Sequence, residues 1–341
     1  MKDQWNRKID YMRISVTDRC NLHCCFCMPE GKFPYMAPNE ILLYDEIEQI
    51  VGAAAALGIV NFRITGGEPL IRKEIEVLIE KVKSIQGVKK VAMTTNGVLL
   101  KEKLPVLIKA GLDGVNISLC TTDRRMYQQI TGYDRLEVVE ESIHTALQAG
   151  LQVKINCVPM YDYHIGQLET IARYAKEQKI DVRFIEMMPI GQGSFYQGID
   201  SKTIRKCLER TYGKAVPDRQ GVLRGNGPAV YYQFPDFKGK IGFISARTCK
   251  FCKDCNRVRL TADGKLKLCL NHADEVDLKQ LLRTGATKEE LKNIMEQAIY
   301  QKPKEHFFEE KELQEKRMKN EEYKRERKKF KGKQYMAQIG G

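Results

Sequence analysis

Cys20, Cys24 and Cys27 lie in the run DRCNLHCCFCMPEG with the spacing C-x3-C-x2-C. Three thiolates on one short loop can hold three irons of a cubane cluster, leaving the fourth iron open to a small molecule. Clusters that only carry electrons are closed by four cysteines, whereas an open coordination position is what lets a metal site do chemistry. A second triplet, Cys252, Cys255 and Cys269, is spaced C-x2-C-x13-C and again stops at three. A zinc or structural site is the plainer reading of either set. Zinc needs a fourth ligand, and the nearest His to the first set, His23, lies inside its own loop. Cys249 could complete a tetrahedron around the second set, so a zinc ribbon stays open there.

Thr65-Gly66-Gly67-Glu68-Pro69 follows a short β-branched run. Its glycines let the backbone approach a ligand closely, and Glu68 can accept hydrogen bonds from an ammonium group. Thr94-Thr95-Asn96-Gly97 and Asn116–Ser118 also fall at strand ends, where ligand contacts belong. Arg257 and Arg259 alternate directly after Cys255, so an extended backbone puts both on one face. Two guanidinium forks beside a metal site suit a triphosphate.

These residues need elements to hold them. Short β-branched runs alternate with longer amphipathic segments. Strands are predicted at Met12–Val16, Val60–Thr65, Val88–Thr94, Gly114–Leu119, Leu151–Val158 and Asp181–Glu186. Helices are predicted around Tyr44–Leu57, Lys73–Ile85, Leu104–Ala110, Leu136–Ala149 and Gln167–Gln178. Gly58, Gly87, Gly111 and Gly150 fall where a left-handed helix cap needs glycine. Such alternation implies parallel strands with right-handed crossovers. Six units by Glu186 suggest an α/β fold, a partial, open (β/α)6 barrel, with functional residues at the C-terminal ends of its strands. The rhythm stops after Ile190-Gly191. From about Asp200 a smaller unit with one helix (Ser201 to Thr211), some strands and the second triplet is expected. This divides the chain into residues 1–199, 200–301 and a charged tail, 302–341.

The 341 residues suffice for a sizeable core, and 43% are hydrophobic, which argues against disorder. The polar start, MKDQWNRKIDY, shows no signal peptide. The longest apolar stretch, Ile50 to Val60, is too short to span a bilayer. Eleven cysteines, an odd number, do not read as a disulfide framework, and a reduced, cytoplasmic setting is expected. The net charge is +13, and residues 302–333 hold thirteen Lys and Arg against eight Glu. The remaining excess fits an anionic substrate as well as nucleic acid.

On these residues the chain resembles the radical S-adenosylmethionine superfamily, in which the first triplet follows strand one and T-G-G-E-P follows strand two. The stretches RISVTDRCNLHCCFCMP, RITGGEPLIRKE, TTNG, VNISL, RFIEMMPIG, GFIS, CNRVRLTADGKLKLCL, KPKEH and the terminal IGG are similar to one family within it. That family is the GTP 3',8-cyclases (molybdenum cofactor biosynthesis protein A), which open the molybdenum cofactor pathway. The resemblance implies two [4Fe–4S] clusters, held by Cys20, Cys24 and Cys27 and by Cys252, Cys255 and Cys269. Phe26, Gly66, Gly67, Glu68, Ser118 and Met188 would contact S-adenosylmethionine. Arg13, Arg63, Thr94 and Lys154 would contact GTP, with Arg257, Val258 and Arg259 lining its site, and Gly340 and Gly341 would reach into the active site. The implied chemistry is reductive cleavage of S-adenosylmethionine, removal of the ribose 3' hydrogen and attack of the carbon radical on guanine C8. Implied partners are a low-potential donor of flavodoxin or ferredoxin type and the next pathway enzyme, forming cyclic pyranopterin monophosphate. A homodimer is admitted; membrane and nucleic acid are not expected.

Three departures stand out. Cys120 takes the place of an Asp after V-N-x-S-L, Cys249 is a fourth cysteine near the second set, and the segment from His306 to Met336 is longer and more charged than usual. Two other readings compete: a radical enzyme that modifies peptides and carries an auxiliary cluster, and a zinc-ribbon RNA-binding protein with a basic tail. The second leaves T-G-G-E-P unexplained.

Overall fold

The computed structural model describes residues 1–29, 33–164, 166–218, 227–308 and 336. Its strands are β1 (Tyr11–Ser15), β2 (Asn61–Thr65), β3 (Lys90–Thr95), β4 (Gly114–Ser118), β5 (Gln152–Cys157), β6 (Asp181–Ile185), β7 (Val216–Pro217), β8 (Val230–Gln233), β9 (Ile241–Ile244), β10 (Arg257–Leu260), β11 (Lys265–Lys267) and β12 (Glu275–Asp277). The helices are α1 (Tyr44–Ala56), α2 (Ile75–Ser84), α3 (Leu100–Lys109), α4 (Arg124–Thr131), α5 (Leu136–Gln148), α6 (Tyr161–His164), α7 (Leu168–Glu177), α8 (Ser201–Tyr212), α9 (Leu278–Arg283) and α10 (Lys288–Tyr300).

Period and burial agree. In β1 Met12 and Ile14 are fully buried in the main core, while Tyr11 and Arg13 take the opposite face. α1 turns Ile47, Ile50, Val51 and Ala54 to that core. Gly58, Gly87, Gly111 and Gly150 adopt φ between 75° and 95°, the left-handed caps their positions called for. α3 begins at Leu100, four residues before its expected start, because the helix takes Pro105 inside rather than at its first turn. α4 was not anticipated. Its cap is Asp123, whose carboxylate accepts from the Met126 N–H at 2.8 Å.

β1 to β6 pair in parallel in chain order, as βα alternation requires. The region after residue 200 differs from the expected picture of a compact unit with one helix. It holds α8, α9 and α10, and its strands extend both edges of the first sheet. β9 pairs in parallel with β6 and β10 with β1, setting Tyr11 opposite Arg257 and Arg13 opposite Arg259. The result is one twelve-stranded sheet, ordered β12-β11-β10-β1-β2-β3-β4-β5-β6-β9-β8-β7. Residues from β1 to β6, β9 and β10 line a common cavity, so the sheet curls round it as an open barrel. No described helix is long and apolar enough to cross a membrane.

Candidate active site: two cysteine sets and a cationic cavity

The first cysteine loop leaves the C-terminal end of β1. Its turn is tied by the Cys27 and Met28 amides, which donate to the Cys24 carbonyl at 2.9 and 3.0 Å, and Cys20 and Cys27 pack on Met28 and Phe33. Burial pushes the Cys20 thiol up to about 11. It pushes Cys24 and Cys27 up as well; Cys27 and Cys20 raise Cys24 further, and Cys20, Cys120 and Cys25 raise Cys27. Three thiols whose ionisation burial opposes, in a loop where Cys20 also opposes that of Cys24 and Cys27, fit a site whose anionic form needs a multiply charged cation.

The close approach that Gly66 and Gly67 permit is to the chain itself. A Cβ on Gly67 would lie 2.2 Å from the Arg19 carbonyl oxygen, and one on Gly66 2.6 Å from that of Thr17. The two glycines therefore nest this loop against the first cysteine loop. Glu68 is fully buried. One of its oxygens accepts from the Leu70 N–H (3.0 Å) and the Thr95 hydroxyl (2.8 Å), the other from the Asn96 N–H (2.7 Å). Burial outweighs these donors and raises its carboxyl to about 7. Asn96 Nδ2 in turn lies 3.7 Å from Cys20 Sγ, so the loops after β1, β2 and β3 form one unit. Ser118 is exposed at the end of β4. Phe26 packs near Cys25, Cys120 and Met187.

Cys255 stands two residues before β10 and Cys269 two after the antiparallel β11. The second set thus lies at the N-terminal end of β10, whereas the first follows the C-terminal end of β10's parallel neighbour β1. The sets occupy opposite ends of that pair. This corrects the expectation that all functional residues gather at C-terminal ends. Cys252, Cys255 and Cys269 line a pocket with Arg257, Arg259, Lys302, His306 and Phe308. Here burial would raise Cys255, but the charges of Arg257 and Lys302 bring it down to about 7. That thiolate-favouring field fits a metal-ligating cysteine. Cys249, the suggested fourth ligand, is exposed and does not line this pocket. Met188 also lines this pocket and packs with Phe251, Phe308 and Met336.

Between the sets lies the curled sheet's cavity, faced by Arg13, Arg63, Lys154 and Arg257 as expected, and by Arg183, Tyr11, Asn156 and Tyr231, which the sequence reading missed. Arg257 lines both cavities. Arg63 Nε donates to the Tyr11 hydroxyl. Burial would raise the Tyr11 phenol, but the charges of Arg63 and Arg13 bring it below its ordinary value. Lys154 is held by Asp181 at 3.3 Å and by the Tyr231 hydroxyl at 3.2 Å. Arg183 is 8% exposed, and its Nε and Nη2 have no hydrogen-bond partner among the described residues, nor do Thr94 Oγ1 and Asn156 Oδ1. Burial, then repulsion from Arg259, depresses Arg13. Burial, then Arg257, brings Arg259 to about 10. Buried like charges beside the open atoms of Arg183, Thr94 and Asn156 are arranged for a polyanion. Val258 departs from expectation: its side chain is fully buried in the main core on the other face of β10, so only its main chain is available to the cavity. Gly340 and Gly341 lie outside the described residues.

An open barrel with a three-cysteine loop after its first strand defines a class, and residues 14–175 match the radical SAM superfamily. Residues 180–308 match Molybdenum Cofactor Synthesis C. A GTP 3',8-cyclase of Clostridium perfringens (strain 13 / Type A) is 39% identical over 341 residues, all of both chains. One from Thermodesulfovibrio yellowstonii is 44% identical over 307 residues, 89% of this chain and 94% of the relative. Streptococcus suis SuiB bound to precursor peptide SuiA shares the fold at TM-score 0.62 and 16% identity, covering 85% of this chain and 67% of that one. The chain belongs to the GTP 3',8-cyclase family. It is a radical S-adenosylmethionine enzyme, whose cofactors are [4Fe–4S] clusters and S-adenosylmethionine.

Proposed function

We propose that the chain converts GTP to (8S)-3',8-cyclo-7,8-dihydroguanosine 5'-triphosphate, the first step of molybdenum cofactor biosynthesis. The observation that carries this reading is the cationic cavity set between two cysteine triplets. Cys20, Cys24 and Cys27 would hold the first cluster and Cys252, Cys255 and Cys269 the second. Bound S-adenosylmethionine supplies a carbon radical when one electron reaches the first cluster.

The chain's own groups bind, orient and shield. Arg13, Arg63, Lys154 and Arg257 neutralise the triphosphate, and their mutual repulsion in the cavity makes a polyanion stabilising. Asp181, Tyr231 and Tyr11 fix Lys154 and Arg63 before the ligand arrives, so little ordering remains to be done on binding. Thr94 and Asn156 offer polar atoms without protein partners. Glu68 braces three loops and retains lone pairs for the cofactor's ammonium. Phe26, Gly66, Gly67 and Ser118 complete that end. Met336 packs near Met188 and Phe308, which supports the reading that Gly340 and Gly341 approach the same site.

Residues 200–301 act in this reading as the second-cluster unit although they share the sheet with residues 1–199. The enzyme is cytoplasmic, draws electrons from a flavodoxin or ferredoxin and passes its product to the enzyme forming cyclic pyranopterin monophosphate. Light scattering separates a monomer from a homodimer. For the reaction, anaerobically reconstituted protein is given GTP, S-adenosylmethionine and a reductant. Loss of GTP with formation of the cyclised nucleotide, measured by chromatography and mass spectrometry, is expected. Cofactor cleavage that never consumes GTP would overturn the reading.

A further inference from the structure

We propose that the Lys302 ammonium is the resident counter-charge of the second cysteine triplet, raising the readiness of the cluster held there to accept an electron, and that Arg7 fixes its position. This rests on the reading that Cys252, Cys255 and Cys269 hold a cluster.

Lys302 follows α10 and is 2% exposed. Its Nζ donates to the carbonyl of Leu268, the residue before Cys269, and its side chain lines the pocket of the three thiols. Among the described residues no carboxylate pairs with it. A buried ammonium without an anion is costly, and the anions available in this pocket are the thiolates themselves. The surrounding chain holds it there. Arg7 is 7% exposed and pairs with Asp3 through Nε at 2.6 Å. Its remaining donors reach the carbonyls of Cys252 (2.8 Å), Pro303 (2.8 Å), Lys304 (2.9 Å) and Lys302 (3.4 Å). One guanidinium thus joins the cysteine loop to the segment bearing Lys302. A burial this well determined serves the charge rather than tolerating it.

An oxidised cubane with three thiolates carries about one net negative charge and gains another on reduction; net charge is among the terms that set the potential. A fixed positive charge in a water-poor pocket favours the more negative state. Removing it makes reduction harder.

The test uses full-length protein in which Cys20, Cys24 and Cys27 are Ser, so that the second cluster alone gives a signal. Iron and sulfide are counted, and the reduced fraction is followed by electron paramagnetic resonance against applied potential. For Lys302→Met the ratio of reduced to oxidised cluster at a fixed potential is expected to fall at least about tenfold, equivalent to about 59 mV for a one-electron couple. Lys302→Arg, which keeps the charge, should stay within about threefold of the parent. Arg7→Gln should shift the ratio in the same direction by less, and it decides the matter with Lys302→Arg should the Met variant fail to fold. A Met variant that folds but loads no cluster, beside an Arg variant that loads fully, also supports the proposal. Equal shifts in the Met and Arg variants, or no shift in either, overturn it. A parent that binds no cluster at all overturns instead the site reading on which it rests.

Discussion

The two cysteine triplets offer the same ligands in opposite surroundings. Around Cys20, Cys24 and Cys27 stand apolar side chains and the buried carboxyl of Glu68, and the thiols are pushed up. Around Cys252, Cys255 and Cys269 stand Arg257, Arg259 and Lys302, and Cys255 is drawn down. Ligand number alone does not choose the guest at an open metal position; the surrounding charge does. The carboxyl suits a cofactor with an ammonium and a sulfonium, and the cationic end suits a nucleotide triphosphate.

The hardest way to break this contrast is to remove one triplet at a time. Cys24→Ala should cut iron from about eight to about four per chain and abolish 5'-deoxyadenosine formation, measured by chromatography. Cys255→Ala should cut iron equally, spare some uncoupled cofactor cleavage and abolish nucleotide cyclisation. Equal loss of cleavage in both would show that the triplets do not divide the work. The contrast in thiol ionisation can be read in metal-free protein. Iodoacetamide labelling, mapped by mass spectrometry, should rise near pH 7 at Cys255 and near pH 11 at Cys20, because the thiolate is the nucleophile.

Next in size is the cavity. Arg183→Ala and Arg257→Ala should each weaken GTP binding by about 1.5–3 kcal/mol, measured by anaerobic equilibrium dialysis, with S-adenosylmethionine binding unchanged. Glu68 gives a gentler dependence. Its folded pKa, about 7, lies above its ordinary 4.5, so the cofactor-free fold loses stability as pH rises from about 4.5 through about 7. The carboxylate that attracts an ammonium prevails only above about pH 7. Cofactor affinity should therefore climb between pH 6 and 8, and the climb should flatten in Glu68→Gln. The smallest effect lies outside both regions. Arg124 pairs with Asp134 and Glu137 on the surface, and Arg124→Ala should leave the midpoint of a denaturant melt almost unmoved, with activity retained.

What was legible in the sequence follows from local signal strength. β1 to β6 were placed within two residues because β-branched runs ended at glycine-capped helices. β9 and β10 are four residues each; alternation marks Arg257 and Arg259 as extended, but the parallel seats of β9 on β6 and β10 on β1 depend on contacts far along the chain. α10 was missed although Thr287 and Glu290 form a capping box, a signal that a closer reading for helix starts would have found. Arg183 was missed because one arginine in D-V-R-F-I means nothing alone. Compared across strands it becomes visible, since Arg13, Arg63 and Lys154 each occupy the cavity-facing phase of their own strand. The same rule of alternation that found its neighbours turns the Val258 side chain to the core, which leaves its main chain for the site.

The Arg7 clamp has a consequence for how the molecule is made. Arg7 leaves the ribosome nearly three hundred residues ahead of Lys302, Pro303 and Lys304, whose carbonyls it binds. Contacts so distant in sequence form late, and domains generally fold in the order of synthesis. The first cysteine loop can assemble on a growing chain, while the second pocket waits for the segment that carries Lys302 and His306. With both triplets holding clusters, as proposed, the first site would be ready for metal before the second.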